Sequence, residues 1–149
     1  MGRIARVLAH FADLDPYRLY TLLKLRCDVF VVEQRCAYPE LDGRDVEPAT
    51  VHLWLDDEHG TPAAYLRVLS DPSGAARIGR VVTAKAARGQ GLAARLMADA
   101  LTHVGPDREV VLDAQTEAMR LYERFGFTAE GTPFLEDGIE HIHMRRPAA

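Results

Sequence analysis

The chain has 149 residues, enough for one domain that buries roughly 68–70% of the surface its unfolded form exposes, so its core requires neither a metal nor a disulfide. Hydrophobic residues make up 48% and charged residues 27%, a globular balance that excludes extended disorder. The net charge of −4 excludes a broad nucleic-acid footprint, and no run of about eighteen apolar residues is present to span a membrane.

A short strand is predicted near Ile4 to His10. Asp15 then reads as a helix N-cap with Pro16 at the first helical position, and Leu19, Leu22, Leu23, Arg26 and Phe30 follow at helical spacing. The apolar stretch Val29 to Val32 ends at Glu33-Gln34, and residues Pro39 to Thr50 form a turn-rich, acidic loop around Asp42-Gly43. Val51, Leu53 and Leu55 alternate with His52 and Trp54 in a strand, Asp56 to Gly60 is a hairpin loop, and Ala63 to Leu69 is the return strand. After the Asp71-Pro72-Ser73-Gly74 turn, Ala76 to Ala84 forms a third strand, with Gly79 suited to a bulge. Leu92, Leu96, Ala100, Leu101 and Val104 keep a helical period from Gly91 to Val104. Glu109 to Ala114 is a buried strand, Glu117 to Phe125 a short helix stopped by Gly126, and two strands close the chain around Glu136-Asp137-Gly138. The order predicts one α+β domain over residues 1–149, with a mixed, mostly antiparallel sheet and one parallel step through the central helix.

The two cysteines, Cys27 and Cys36, read as reduced thiols, and Met1 to Arg6 lacks the apolar stretch of a secretion signal. Together these predict a cytoplasmic protein.

The chemistry concentrates where the third strand turns into the central helix, at Arg88-x-x-Gly91-x-Ala93. Small residues let a ligand approach the backbone, and the first N–H groups of a helix have no internal partner. The helix dipole adds partial positive charge, so the turn suits a pyrophosphate, with Arg88 adding a full charge. A P-loop and a dinucleotide fingerprint are both excluded, since no Gly-Lys-Ser/Thr or G-x-G-x-x-G is present.

This segment resembles motif A of the GNAT superfamily of N-acetyltransferases, and Tyr122-x-x-x-Gly126-Phe127 resembles its motif B. Leu25 to Gln34, Asp42-Gly43-Arg44-Asp45 and Gly138-Ile139-Glu140-His141-Ile142-x-Met144 are similar to the ElaA-like branch, so the resemblance covers nearly the whole chain. It implies the GNAT acyl-CoA N-acyltransferase fold, a twisted sheet flanked by helices. It also implies acetyl-CoA as co-substrate and direct attack of a bound primary amine on the thioester.

By that resemblance, backbone groups of Val81, Val82 and Thr83 hold the pantetheine arm and the thioester carbonyl. Arg88, Gly89, Gln90, Gly91, Leu92 and Ala93 hold the pyrophosphate. Tyr122 is the candidate general acid for the thiolate leaving group. For the general base Glu33 comes first and His141 second, with His52 and Asp113 behind them and ordered water as a further route. His141 and His143 share one strand face, but no third ligand accompanies them, so no metal is expected. Phe125, Phe127 and Phe134 read as core.

Glu33, Asp42, Asp45 and Glu47 are expected to make the acceptor mouth acidic, which suits a cationic amine of a small molecule or a peptide. The resemblance also allows a homodimer. Two other readings remain open: a non-catalytic acyl-CoA-binding sensor, and an enzyme with another acyl donor or acceptor, because segments like Arg26-x-x-Val29-Phe30 also occur in acyl-homoserine-lactone synthases.

Overall fold

The computed structural model describes residues 5–149; Ile4, at the start of the first predicted strand, lies outside them. In chain order the elements are β1 (Ala5–His10), α1 (Pro16–Arg26), β2 (Val51–Asp56), β3 (Pro62–Ser70), β4 (Ala76–Thr83), α2 (Leu92–Val104), β5 (Val110–Gln115), α3 (Met119–Glu123), β6 (Thr128–Glu136) and β7 (Ile139–Arg146). They build one seven-stranded sheet in the order β1-β2-β3-β4-β5-β7-β6. Every neighbouring pair is antiparallel except β4 with β5, the step that passes through α2.

Local chemistry accounts for the element boundaries. Asp15 caps α1 by accepting the Arg18 N–H at 2.8 Å, and Pro16 follows at the first helical position, where a missing N–H costs nothing. α1 then widens into a π-helical run, Cys27–Glu33, closed by the Gln34 N–H donating to the Val29 carbonyl at 2.9 Å. Such widenings are rare and tend to occur at functional sites. Gly91 starts α2 in a left-handed conformation at φ +72°, and Gly105 ends it. α3 ends at Glu123, short of the predicted Phe125, and the turn after it closes at Gly126, at φ +88°.

The sheet separates two apolar clusters. On one face α2 sets Leu92, Leu96, Met97 and Ala100 against Leu53, Leu66, Ile78 and Leu112. On the other, Leu22, Leu25 and Val29 cover Trp54, Tyr65 and Val82. β2 is therefore buried on both faces, the side that carries His52 and Trp54 included. Trp54 supplies apolar area to the α1 cluster, with the Arg18 guanidinium 5.4 Å from its ring centre. Phe125 and Phe127 belong to the α2 cluster, as expected; Phe134 does not, and lies partly exposed on β6, stacked on the His141 ring. No helix among the described residues is long and apolar enough to cross a membrane.

Candidate active site

β4 and β5 pair only at Ala76–Val110 and Arg77–Val111, and beyond Arg77 they part. A cavity of about 800 Å³ opens in the gap. β4 from Arg77 to Thr83 forms one wall; Asp113 and Gln115 of β5, Tyr122 of α3 and His141 of β7 line the other. The residues after the π-helical run reach across to that second wall. Gln115 Nε2 donates to Gln34 Oε1 at 3.2 Å, and Cys36 Sγ donates to the Asp137 carbonyl at 3.4 Å. Both cysteines are free thiols, and burial pushes the Cys36 thiol up from its ordinary pKa.

β4 carries a bulge inside this cavity. Tyr65 pairs with Val82 and Arg67 with Gly79, so Leu66 alone faces Arg80 and Val81. The sequence suggested Gly79 for the bulge, yet Gly79 stays in register and the left-handed residue is Arg80, at φ +54°. An arginine holds that conformation because its guanidinium is anchored: Nε donates to Glu40 Oε2 at 2.9 Å and an Nη to the Glu40 carbonyl at 3.1 Å.

Beyond β4 a short turn of 3₁₀ helix, Lys85–Ala87, leads to Gly89 and Gly91, both left-handed at φ +81° and +72°. No atom crowds either glycine, so backbone conformation alone selects them. Of the predicted pyrophosphate ligands, Arg88 and Ala93 line the cavity, Gly89, Gln90 and Gly91 lie exposed on the turn, and the Leu92 side chain packs in the core. Val81, Val82 and Thr83 line the cavity from β4.

Tyr122 is 7% exposed and meets Phe127 edge-on. Its hydroxyl has no hydrogen-bond partner among the described residues, and burial pushes the phenol up to about 12. A phenol held there stays protonated at neutral pH and can give a proton or a hydrogen bond to a group in the cavity.

Glu33 is not an open base. Arg88 grips it with two donors, at 2.7 and 2.9 Å, and that pairing holds its carboxyl below the usual carboxylate range. His141 is better disposed. Its Nδ1 lies 2.7 Å from the Ile139 carbonyl, which can only accept, so Nδ1 carries a proton and, in the neutral ring, the lone pair is on Nε2. The Glu136 carboxylate lies 3.8 Å from that nitrogen.

His52 is removed from the cavity altogether. It is buried between the Tyr65 hydroxyl at 2.6 Å and the Asp45 carbonyl at 3.0 Å, and desolvation lowers its pKa. Asp113 lines the cavity but is engaged by His143 at 2.9 Å and Arg77 at 3.4 Å. His141 and His143 share a face, as their spacing predicts, but each Nδ1 is already committed.

The expected acidic mouth is corrected by the same geometry. Every one of its carboxylates meets an arginine: Glu33 meets Arg88, Asp42 meets Arg67, Asp45 meets both Arg26 and Arg67, and Glu47 meets Arg44. Asp45, moreover, is 7% exposed. Acidic loop composition was visible in the sequence; the partners of Glu33, Asp42 and Asp45 were not, because they come from α1, β3 and the turn before α2.

An acetyltransferase (GNAT) domain matches residues 28–147. The chain is 47% identical over 140 residues to a UPF0039 protein of Mycobacterium tuberculosis, covering 92% of this chain and 89% of that one. It is 41% identical to protein ElaA of Escherichia coli over 144 residues, covering 92% of each. The crystal structure of an acyl-CoA N-acyltransferase from Pseudomonas aeruginosa superposes with a TM-score of 0.89 at 46% identity, over 97% of this chain and 99% of that one. The crystal structure of E. coli ElaA gives the same TM-score at 37% identity, with the same coverage. The parted β4 and β5, the bulged strand and the glycine turn before α2 thus stand in a chain that belongs to the GNAT acetyltransferases, a family of acyl-CoA-dependent acyltransferases.

Proposed function

We propose that this protein transfers an acetyl group from acetyl-CoA to a primary amine of a small molecule or peptide, by direct attack within a ternary complex. The observation that carries the proposal is the cleft itself. β4 loses its β5 partner beyond Arg77, and a buried phenol without a partner faces the same cavity as the freed strand.

In this reading, backbone N–H groups of Val81, Val82 and Thr83 hold the pantetheine arm and stabilise the oxyanion that forms at the thioester carbon. Donors fixed in advance at such a position usually supply the largest electrostatic contribution to rate. The turn from Arg88 to Ala93 receives the diphosphate through its unpaired amides, with Arg88 released from Glu33. The amine nitrogen attacks the carbonyl carbon, the C–S bond breaks, and the departing thiolate takes the Tyr122 proton. Before the attack His141 Nε2 accepts one proton from the bound ammonium, directly or through water, with Glu136 steadying the resulting imidazolium; the second proton, shed by the nitrogen as the amide forms, restores the Tyr122 phenol. Glu33 acts at the cofactor side instead, holding Arg88 until the diphosphate displaces it.

A screen of purified protein with acetyl-CoA, other acyl-CoAs and a panel of amines and peptides tests this, with free CoA thiol as the readout. Amine-dependent thiol release that is fastest with acetyl-CoA is expected. Binding of acetyl-CoA with no thiol release from any amine would favour a sensor instead, and no binding at all would remove the whole reading.

A further inference from the structure

Six side chains of alternating charge close a ring beside the β4 bulge. Arg26 Nε meets Glu40 Oε2 at 2.7 Å, and Arg80 Nε meets the same oxygen at 2.9 Å. Arg80 continues to Asp42 at 3.4 Å, and Asp42 pairs with Arg67. Arg67 reaches Asp45 Oδ1 at 3.0 Å, and Asp45 returns to Arg26 at 2.8 Å. The Glu40 carbonyl also accepts from both Arg26 and Arg80, at 3.1 Å each, so Glu40 is clasped twice by the same two arginines. All three acids come from the loop before β2; the arginines come from α1, β3 and β4. Arg26 and Arg67 are almost wholly buried, at 1% and 3% exposure.

One ring member occupies a backbone position that does not suit its type. Arg80 sits in the left-handed region, where a β-carbon is disfavoured and glycine is the ordinary choice. Glycine would give the same backbone without penalty, so the arginine is explained by what its guanidinium grips. It is also the residue immediately before Val81 and Val82, whose N–H directions follow from the bulge.

We infer that the ring is a positioning device for acyl transfer, with Arg80 and Glu40 as positioning residues. By clamping Arg80 in the left-handed conformation, it aims the amides of Val81 and Val82 at the place of the thioester carbonyl. The inference rests on the acyltransferase reading for its consequence in rate, but its structural content, bulge geometry set by side-chain ion pairs, can be tested without turnover.

The decisive comparison is Arg80→Ala against Arg80→Gly. Both delete the same ion pairs and leave Glu40 and Asp42 equally short of a partner. Only glycine keeps easy access to the left-handed backbone. Arg80→Ala is expected to lower kcat about 10²-fold, in the range seen when one oxyanion donor is lost. Arg80→Gly should recover at least tenfold of that loss, while the Kd for CoA itself changes less than about threefold in either variant. Glu40→Gln, which keeps the side chain's shape, should behave like Arg80→Ala in kcat and respond in the same way in the double variant with Arg80→Gly. Equal kcat losses in the alanine and glycine variants would overturn the inference, since direct substrate contact or general stability would move both alike. If the wild-type protein releases no CoA thiol with any amine, the acyltransferase reading fails by itself. The ring is then judged from amide NMR shifts of Val81 and Val82, which should move in Arg80→Ala and return toward wild type in Arg80→Gly. Unmoved shifts in Arg80→Ala would overturn it.

Discussion

Tyr122 and Glu33 face one cavity with opposite electrostatic fates. Desolvation keeps the phenol protonated, whereas a bidentate arginine keeps the carboxyl ionised. Tyr122→Phe removes a single oxygen from a site that already packs against Phe127, so the fold should survive the change. Turnover is expected to fall by about 10²-fold or more, the worth of a positioned acid, while acetyl-CoA affinity stays within about twofold. Steady-state kinetics beside calorimetric titration would decide; weaker binding with unchanged turnover refutes the acid role. Glu33 competes with any anion for Arg88. Glu33→Gln should therefore tighten acetyl-CoA severalfold at low salt, and Arg88→Glu should weaken it, both effects shrinking in high salt because these side chains are solvent-exposed. A Kd indifferent to both changes would take Arg88 out of the diphosphate site. That Tyr122 and Arg88 are candidates was readable from short motifs, and both line the cavity. The demotion of Glu33 was not, because its partner is far along the chain and nothing local in the sequence announces the pair.

At the scale of elements, what was legible was whatever local chemistry enforces. Asp15-Pro16 marked the start of α1, Gly126 the turn after α3, and the turns at residues 56–60, 71–74 and 136–138 the ends of their strands. What was illegible depended on neighbours. The two-faced burial of β2 needs α1 on one side and α2 on the other, and the π-helical widening from Cys27 has no signature in a 3.6-residue period. The bulge falls on Arg80 instead of Gly79 because distant carboxylates hold an arginine in a conformation that sequence reasoning assigns to glycine. Gly91 is the reverse case, since its conformation comes from the local chain alone. A β-carbon there would touch nothing, so Gly91→Ala should cost only backbone strain, about 1–2 kcal/mol, lowering Tm by roughly 2–8 °C. It should also loosen acetyl-CoA, because the first amides of α2 are oriented by that residue. Thermal melts with and without acetyl-CoA check both statements; an unchanged apo Tm would show that the turn can relax without strain.

Across the whole molecule, the closed ion-pair ring joins both halves of the N-terminal region: α1 and the acidic loop are fastened to β3 and β4 at one point. Its acids titrate with consequence. Arg67 holds the Asp42 carboxyl well below the usual range; against its own desolvation, Asp45 is held down by Arg26 and Arg67. Groups with depressed folded-state pKa values stabilise the fold above their unfolded value, near 4, and lose that contribution as pH falls through the folded value. The ring's contribution should therefore be flat through neutrality and decline below about pH 4, as Arg26 and Arg67 are left buried without compensating charge, while buried His52, whose pKa desolvation lowers, adds a decline of its own that begins near pH 6.5. Asp42→Asn carries this loss at every pH. It should lower the urea midpoint at pH 7 and shallow the acid limb, so that the two proteins converge toward pH 2. Urea unfolding at intervals from pH 7 to pH 2 reads this directly. Parallel curves, with the variant as pH-sensitive as the wild type, would mean that the acid response belongs to carboxylates outside the ring.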